Sequence, residues 1–352
     1  MSKVRIAVVG AGVIGRAHAD VIRDGQVAEL AAMVDPTAAG RETAERYGVP
    51  WFADHAALLA TGAVDAAIVA TPNQTHLPVS LGFIAAGIPV LVEKPIASTL
   101  AEARELTAAA EAAGVPVLVG HHRRHNPIIR RARDLVRSGA LGRLASVAVL
   151  STFLKPDSYF ELDWRRRAGG GPVLINLIHE IDLIRFVCGE VEAVLAVTSN
   201  AIRAFEVEDS AAVILRLAGG ALVTVTLSDT AAAPWSWDMS SRESRLYPEL
   251  PATVNSHYLA GTKASLTLPH LDLWHHPGRA GWHEPIARET VAVEWADPYA
   301  EQIRHLCAVV RGEEQPVISA ADGTRTLEVT LAVHAAASTG APVVFDRLAQ
   351  TQ

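Results

Sequence analysis

Apolar residues in the first 120 positions fall into two alternating patterns. Residues 4–9, 29–34, 66–70, 89–92 and 115–119 are short, nearly continuous apolar runs rich in Val, Ile and Ala, as expected of strands covered on both faces. Between them, residues 11–23, 38–47, 78–86 and 100–113 place apolar side chains three and four apart, the spacing of a helix with one buried face. The last three of these stop at Gly48, Gly87 and Gly114, where a left-handed cap is expected. Strict alternation of strand and helix predicts a parallel sheet with helices on both faces, and right-handed crossovers make it doubly wound.

The pattern changes after about residue 125. Residues 127–138 and 173–186 read as helices, the second of them largely apolar. Residues 144–153, 191–199, 211–217, 221–227 and 265–268 read as strands, and Gly219-Gly220 between two of them is a hairpin signal. Strands grouped without intervening helices predict an antiparallel or mixed sheet. Residues 298–311 and 324–338 are late helices, and residues 231–262 show no clear period and read as a long excursion. The expected division is a first domain over residues 1–122 and a second over 123–352.

Composition sharpens this without redirecting it. A chain of 352 residues suits two domains at roughly 100–200 residues each. Half the residues are apolar and the formal net charge is −7, so there is no broad electrostatic basis for binding nucleic acid. The basic runs Arg123-Arg124 and Arg165-Arg166-Arg167 are too short to change that. The two cysteines, Cys188 and Cys307, form no CxxC pair and read as reduced thiols. Lys3 and Arg5 before an apolar stretch, with Ala17-His18-Ala19 after it, imitate a secretory signal, but Gly10, Gly12 and Gly15 interrupt the apolar core. No run of about 18 uncharged apolar residues occurs, so no membrane partner and a cytoplasmic location are expected.

The glycines have a better explanation. Gly10-Ala11-Gly12-Val13-Ile14-Gly15 follows a strand and opens a helix, and Asp35 ends the next strand 20 residues after Gly15. That is the dinucleotide fingerprint. Gly10 permits the turn, Gly12 admits the pyrophosphate, and Gly15 lets helix and strand pack. Asp35 would accept hydrogen bonds from ribose hydroxyls and repel a 2′-phosphate, which favours NAD over NADP. Arg41, the one nearby cation, lies too far along to reverse this.

Two more polar groups sit at strand ends of the same sheet, where ligands of open α/β sheets bind. Glu93-Lys94-Pro95 offers a lysine that serves as an acid or base if its pKa falls. Thr71-Pro72-Asn73-Gln74-Thr75-His76 would lie beside the cofactor, with helix capping by Asn73 or Thr75 as the alternative role. Later, Gly169-Gly170-Gly171 leads into a helix on which Asn176, His179 and Leu183 share a face. A histidine on an apolar helix is either a satisfied core residue or a functional one, and the helix alone leaves both open. His121-His122-Arg123-Arg124-His125 follows the last strand of the first sheet. No aspartate or cysteine completes a metal set there, so no metal is assigned, and His122 and Arg123 are candidates to touch substrate. Lys155, Tyr159 and Trp164, and further on Trp235, Trp237 and Tyr258, place aromatics beside cations, which suits a hydroxylated ring or a hydroxylated carboxylate.

Taken in order, Gly10-Gly12-Gly15, Thr71-Pro72-Asn73 with His76, Glu93-Lys94-Pro95, and Gly169-Gly170 followed by His179 and Asp182 resemble the Gfo/Idh/MocA oxidoreductases, the family of glucose–fructose oxidoreductase and inositol dehydrogenase. The resemblance runs over residues 4–345, and Glu93-Lys94-Pro95 is its most specific part. It implies an α/β protein: a Rossmann domain, then an α/β domain whose large, mixed, mostly antiparallel open sheet packs against a partner subunit in a homodimer or homotetramer. It implies hydride transfer between NAD and a secondary alcohol of a sugar, a polyol or a cyclic hydroxy acid. Lys94 then matches the lysine that relays the hydroxyl proton, and His179 the histidine that acts on the substrate hydroxyl. The cofactor would be held by Gly10, Gly12, Val13, Ile14, Gly15, Asp35, Thr71, Pro72, Asn73, His76, Glu93, Lys94 and Arg165. The substrate would be held by His122, Arg123, Tyr159, Trp164, Asn176 and His179. One position departs from the family: the aspartate four residues before the histidine is Ile175 here. Asn176 or Asp182 is then left to orient His179. The resemblance also admits a glycoside-cleaving enzyme that oxidises its substrate transiently with bound NAD, an aldose–aldose enzyme that keeps its cofactor bound, and a regulator that senses NAD without catalysis. Retention of both Lys94 and His179 argues against the last.

Overall fold

The computed structural model describes residues 2–243 and 247–346. Its first sheet has six parallel strands: β1 (Val4–Val9), β2 (Ala28–Val34), β3 (Trp51–Phe52), β4 (Ala66–Val69), β5 (Val90–Val92) and β6 (Val117–Val119), in the order β3-β2-β1-β4-β5-β6. This is the doubly wound order, and its reversal point lies between β1 and β4. Every residue of β4, β5 and β6 is buried, which is why they carry no polar side chain. The helices Ala38–Tyr47 and Leu100–Ala113 end at Gly48 and Gly114, both with positive φ, and start at Thr37 and Thr99, whose hydroxyls accept from the first turn. The expected strands and helices of this sheet are present. Strand β3 and the short helix His55–Leu59 were not anticipated, because two and five residues are too few to show a period.

Residues 296–327 pack with this sheet and form one compact unit with the residues up to 125. The helix Pro298–Val310 explains it: Ile303, Leu306, Cys307 and Val309 join Ile6, Val8, Ile22, Ile68 and Leu118 in one apolar cluster. The division read from the sequence placed residues 123–352 together. Helical spacing shows that a helix has an apolar face but not which sheet that face covers.

The second unit comprises residues 126–295 and the chain from 328 onward. Its sheet has nine strands: β7 (Leu144–Thr152), β8 (Val191–Ser199), β9 (Ser210–Leu217), β10 (Leu222–Ser228), β11 (His257–Gly261), β12 (Ala264–Leu268), β13 (Asp272–His275), β14 (Ala287–Thr290) and β15 (Val343–Val344). The order is β14-β13-β12-β11-β7-β10-β9-β8-β15, and only the pair β7–β10 is parallel. The mixed, mostly antiparallel sheet expected from the grouped strands is therefore present. Strand β11 lies inside the stretch read as an excursion, and its five residues, the last a glycine, alternate in burial only over the first three. The helix expected over residues 173–186 is a π-helical turn, Val173–Leu177, followed by the α-helix Ile178–Cys188. Both cysteines are free thiols.

Alternation along β9 and β10 buries Val213, Leu215, Val223, Val225 and Leu227 and turns the intervening residues outward. Across the strands the outward residues fall in register as Leu195, Ile214, Thr224, Ala148 and Tyr258, all exposed and none charged. Among the described residues, no helix is long and apolar enough to cross a membrane.

Candidate active site

The turn after β1 is built on two close approaches and one open space. Gly10 has φ 99°, and a Cβ there would lie 2.5 Å from the Ala70 carbonyl oxygen at the end of β4. A Cβ at Gly15 would overlap the Gly10 carbonyl. Only hydrogen fits at either position. Gly12, in contrast, has nothing within 4 Å of its Cβ direction. The helix Val13–Asp24 begins there with no side-chain cap and no acidic residue in its first turn, so its first N–H groups are left for an anion. Val13 and Ile14 are exposed on the same turn. Close by in sequence order at the end of β4, the Thr71 hydroxyl oxygen is shielded from solvent and has no hydrogen-bond partner among the described residues. Open space, free N–H groups and an orphaned hydroxyl fit a dinucleotide.

Asp35 closes β2. One carboxylate oxygen accepts from the Ala11 N–H at 2.8 Å, and the other accepts from the Thr37 N–H at 2.9 Å and the Thr37 hydroxyl at 2.5 Å. Partial burial raises its pKa, but these hydrogen bonds outweigh burial and leave it lowered, hence anionic at neutral pH. Its carboxylate has about four acceptor sites, so three bonds leave room for a ribose hydroxyl. Arg41 is exposed and paired with Glu45 at 3.1 Å, as expected of a cation with no part in the site.

At the end of β4, Pro72 is exposed and Asn73 half-buried, opening a short turn over Asn73–Thr75. Thr75 takes the N-cap position of the helix His76–Ala85 without a side-chain cap, its hydroxyl donating instead to the Pro72 carbonyl at 2.8 Å. His76 is buried, with one ring nitrogen 2.9 Å from the Pro95 carbonyl and the other 2.9 Å from the Thr71 carbonyl. Burial lowers its pKa. It therefore links the loop after β4 to the loop after β5 from inside.

Glu93 and Lys94 follow β5. Glu93 is buried, and its carboxylate meets a ring nitrogen of His18 at 2.8 Å and the backbone N–H of Lys94 at 3.2 Å. A Cβ at Gly120, after β6, would overlap that carboxylate. Burial raises the Glu93 pKa, but the His18 hydrogen bond and the charges of His18, Lys94 and His122 outweigh it and hold it low. The Lys94 side chain is half-buried. His18 is fully buried and meets the edge of Tyr299 at 5.6 Å, while the His122 ring stacks on Tyr299 at 4.3 Å. His122 thus belongs to this cluster. Arg123 is buried, and Arg124 is ion-paired with Asp322.

The other predicted residues lie in the second unit. Gly170 lets the chain pass against the backbone of Trp164 and Arg165, and Gly171 makes room for the Glu208 carboxylate. Glu208 accepts from the Val173 N–H at 2.9 Å and meets His334 at 3.2 Å, so it anchors the start of the π turn. Within that turn Asn176 is half-buried, its side-chain oxygen shielded and without a hydrogen-bond partner among the described residues. His179 opens the α-helix and is buried, and its neighbour Glu180 pairs with His257 of β11 at 2.9 Å. The shared face read for Asn176 and His179 assumed uninterrupted α-helical spacing. A π turn winds more residues per turn and breaks that assumption. The Arg165 guanidinium lies 4.0 Å from the centre of the Tyr159 ring and 5.3 Å from that of Trp164. Lys155 stands 4.8 Å from the same Tyr159 ring and 3.2 Å from Asp229.

Sequence reasoning passed over His18, Tyr299, Asp229 and Arg203. A signal existed for His18, a polar residue three positions after Gly15 on the face that the helix buries. Asp229 directly follows an alternating strand, but Tyr299 and Arg203 carry no local signal.

Residues 4–121 match the family model described as an oxidoreductase family with an NAD-binding Rossmann fold, and residues 129–266 match the GFO/IDH/MocA C-terminal domain. The chain belongs to the GFO/IDH/MocA oxidoreductase family. The rhizopine catabolism protein MocA of Rhizobium meliloti is 32% identical over 190 residues, 54% of this chain and 59% of that protein. D-apiose dehydrogenase of Paraburkholderia graminis is 28% identical over 354 residues, 97% of this chain and 90% of that protein. The fold of WlbA dehydrogenase from Bordetella pertussis, solved with NADH and UDP-GlcNAcA, superposes with a TM-score of 0.78 at 22% identity, covering 98% of this chain and all of that one. The GFO/IDH/MocA protein described here is an NAD-binding oxidoreductase whose first unit carries the cofactor fold.

Two outcomes follow for the first unit. Asp35→Ala removes the anion that repels a 2′-phosphate, and the NAD-over-NADP preference falls by about tenfold or more, roughly 1.4 kcal/mol, in titrations of NADH and NADPH fluorescence. An unchanged preference would remove Asp35 from cofactor selection. His18→Ala leaves the Glu93 carboxylate buried without its ring partner and costs about 3 kcal/mol at pH 7. Because the folded pKa of Glu93 is depressed, its stabilisation is present above the ordinary carboxylate value and is lost as pH falls through the folded one. The gap between wild type and variant in urea unfolding therefore narrows in acid. A gap independent of pH would show that His18 only fills space.

Proposed function

We propose that this oxidoreductase is an NAD-dependent dehydrogenase acting on a secondary alcohol of a sugar, a cyclitol or a related cyclic hydroxy compound. The observation that carries the reading is the placement of Lys94 at the end of β5, one strand from the β1–β4 reversal point, beside a buried carboxylate tied to the first helix. Bound NAD supplies the hydride acceptor. Lys94 takes the hydroxyl proton as the carbinol C–H bond breaks, and in the reverse direction it returns that proton to the ketone oxygen. His179 is assigned the second contact with the reacting hydroxyl. Since Ile175 offers no carboxylate to fix its ring, this assignment leaves Lys94 the principal proton carrier. The relatives support the substrate class: one is named a D-apiose dehydrogenase, and another was solved with a nucleotide-linked sugar acid.

Lys94→Ala is expected to lower kcat by about 10²–10⁴ while NADH binding persists. The check is NADH formation at 340 nm across a panel of inositols, aldoses and sugar acids. A variant that turns over within tenfold of wild type would end the assignment.

The uncharged outward row of the second sheet supports a homo-oligomer, since exposed apolar patches mark association surfaces. Ile214→Lys within it is expected to shift the protein to monomer in sedimentation velocity. A wild type that sediments as a monomer would refute this reading.

A further inference from the structure

The loops that leave β7 and β10 run side by side. Phe153 N–H donates to the Ser228 carbonyl at 3.1 Å, and Lys155 N–H to the Asp229 carbonyl at 2.9 Å. This places the Lys155 ammonium 3.2 Å from one oxygen of Asp229, with both side chains almost wholly buried. Arg203 takes the other Asp229 oxygen at 3.3 Å and also donates to the carbonyls of Lys155 and Asp229, each at 2.9 Å. Two cations thus converge on one buried carboxylate. Of the other nearby acids, Asp157 is fully exposed and Asp238 half-exposed, so solvent screens both.

Arg203 commits Nε and one terminal nitrogen to that anchor and turns the other toward the exposed Asp157, whereas Lys155 has donors to spare. Its contact with Asp229 engages one of the three donors an ammonium carries, and no other acceptor meets it among the described residues. Arg165 is in a similar state. One terminal nitrogen donates to the Tyr159 carbonyl at 2.7 Å, while its buried Nε has no partner among the described residues. Both cations face the ring of Tyr159, at 4.8 and 4.0 Å. Burial raises the Tyr159 pKa, so its hydroxyl stays protonated and able to donate. Burial also lowers the pKa of Lys155 and raises that of Asp229, the mark of a pair that lacks solvation.

We propose that Lys155, Tyr159 and Arg165, the last of which the family resemblance gives to the cofactor, form a subsite for the carboxylate of a hydroxylated acid, so that the substrate is a sugar acid or cyclic hydroxy acid rather than a neutral polyol. The planar guanidinium, its carbon 4.0 Å from the centre of the Tyr159 ring, suits a planar carboxylate, and the ammonium adds a second charged donor. That the bound acid is the substrate rests on the dehydrogenase reading above. The subsite itself is a matter of binding.

Calorimetric titration of the full chain saturated with NADH separates the two. The probes are D-glucuronate, D-gluconate and L-tartrate, set against D-glucose, myo-inositol and D-glucose 6-phosphate. A carboxylate is expected to bind, and Lys155→Met to weaken it by about tenfold to a hundredfold, with partial recovery in Lys155→Arg. Arg165→Met is expected to weaken it as well. Lys155→Met/Asp229→Asn removes both charges of the pair, so the outcome does not depend on an orphaned Asp229 tolerating folding. Equal binding in wild type and both Lys155→Met proteins overturns the proposal. So does tighter binding of the neutral or phosphorylated sugars, or no binding of any of the three carboxylates. A carboxylate that binds through Lys155 while no compound reduces NAD would sink the dehydrogenase reading and leave the subsite standing.

Discussion

A carboxylate removed from water must be held by its neighbours, and much of the first unit converges on meeting that demand for Glu93. His18 reaches it from the helix after β1, the Lys94 backbone donates from the loop after β5, and Gly120 withholds a side chain so that the carboxylate fits against the end of β6. Tyr299, on a helix far along the chain, closes over His18 and stacks on His122. One buried charge therefore ties together two strand ends and two helices. The ends so joined are the ones that border the dinucleotide crevice, and the result is that the backbone of Lys94 is fixed before any ligand arrives.

This explains which parts of the fold were legible in the chain. Strands β4 to β6 announced themselves because a strand buried on both faces admits only apolar residues, and β1 and β2 because only a single exposed charge, Arg5 or Glu29, interrupts each apolar run. The glycine turn announced itself because Gly10 and Gly15 sit where a methyl group would strike backbone. Long-range partners leave no such trace. His18 and Glu93 are 75 residues apart, and nothing local in either segment requires the other. The helix Pro298–Val310 shows the same limit: its apolar face was clear, and the sheet it covers was not. In the second unit the missed β11 and the π turn have a different origin. A five-residue strand that alternates over three positions is too short to read, and a π turn keeps an apolar helix's composition while changing its winding.

The second unit solves a related problem with other residues. Gly170 and Gly171 bring the chain against Trp164, Arg165 and Glu208, and Glu208 holds the N–H of Val173 where the π turn begins. Burial raises the Glu208 pKa, but its bonds to His334 and Val173 outweigh burial and keep it anionic. The glycine run is therefore a spacer that lets a carboxylate anchor the helix on which His179 lies, as Gly120 does for Glu93 in the first unit. In both units a missing side chain admits a charge, and the charge fixes a segment bearing a candidate functional residue.

The substitution at Ile175 takes on meaning in that setting. A histidine paired with a carboxylate holds its proton more tightly and keeps one tautomer. Ile175, four residues before His179, offers no carboxylate, and the neighbouring Glu180 pairs with His257. Elsewhere in the same unit Lys155 and Arg165 both lie against one aromatic ring, with Asp229 the buried acid beside Lys155. The cations Lys155, Arg165 and Arg203 outnumber the buried Asp229, a shift of the local fixed charge toward positive. A neutral polyol gains nothing from that shift. An acid does, because the charge that orients it is supplied by the protein before it binds and need not be rearranged when it does.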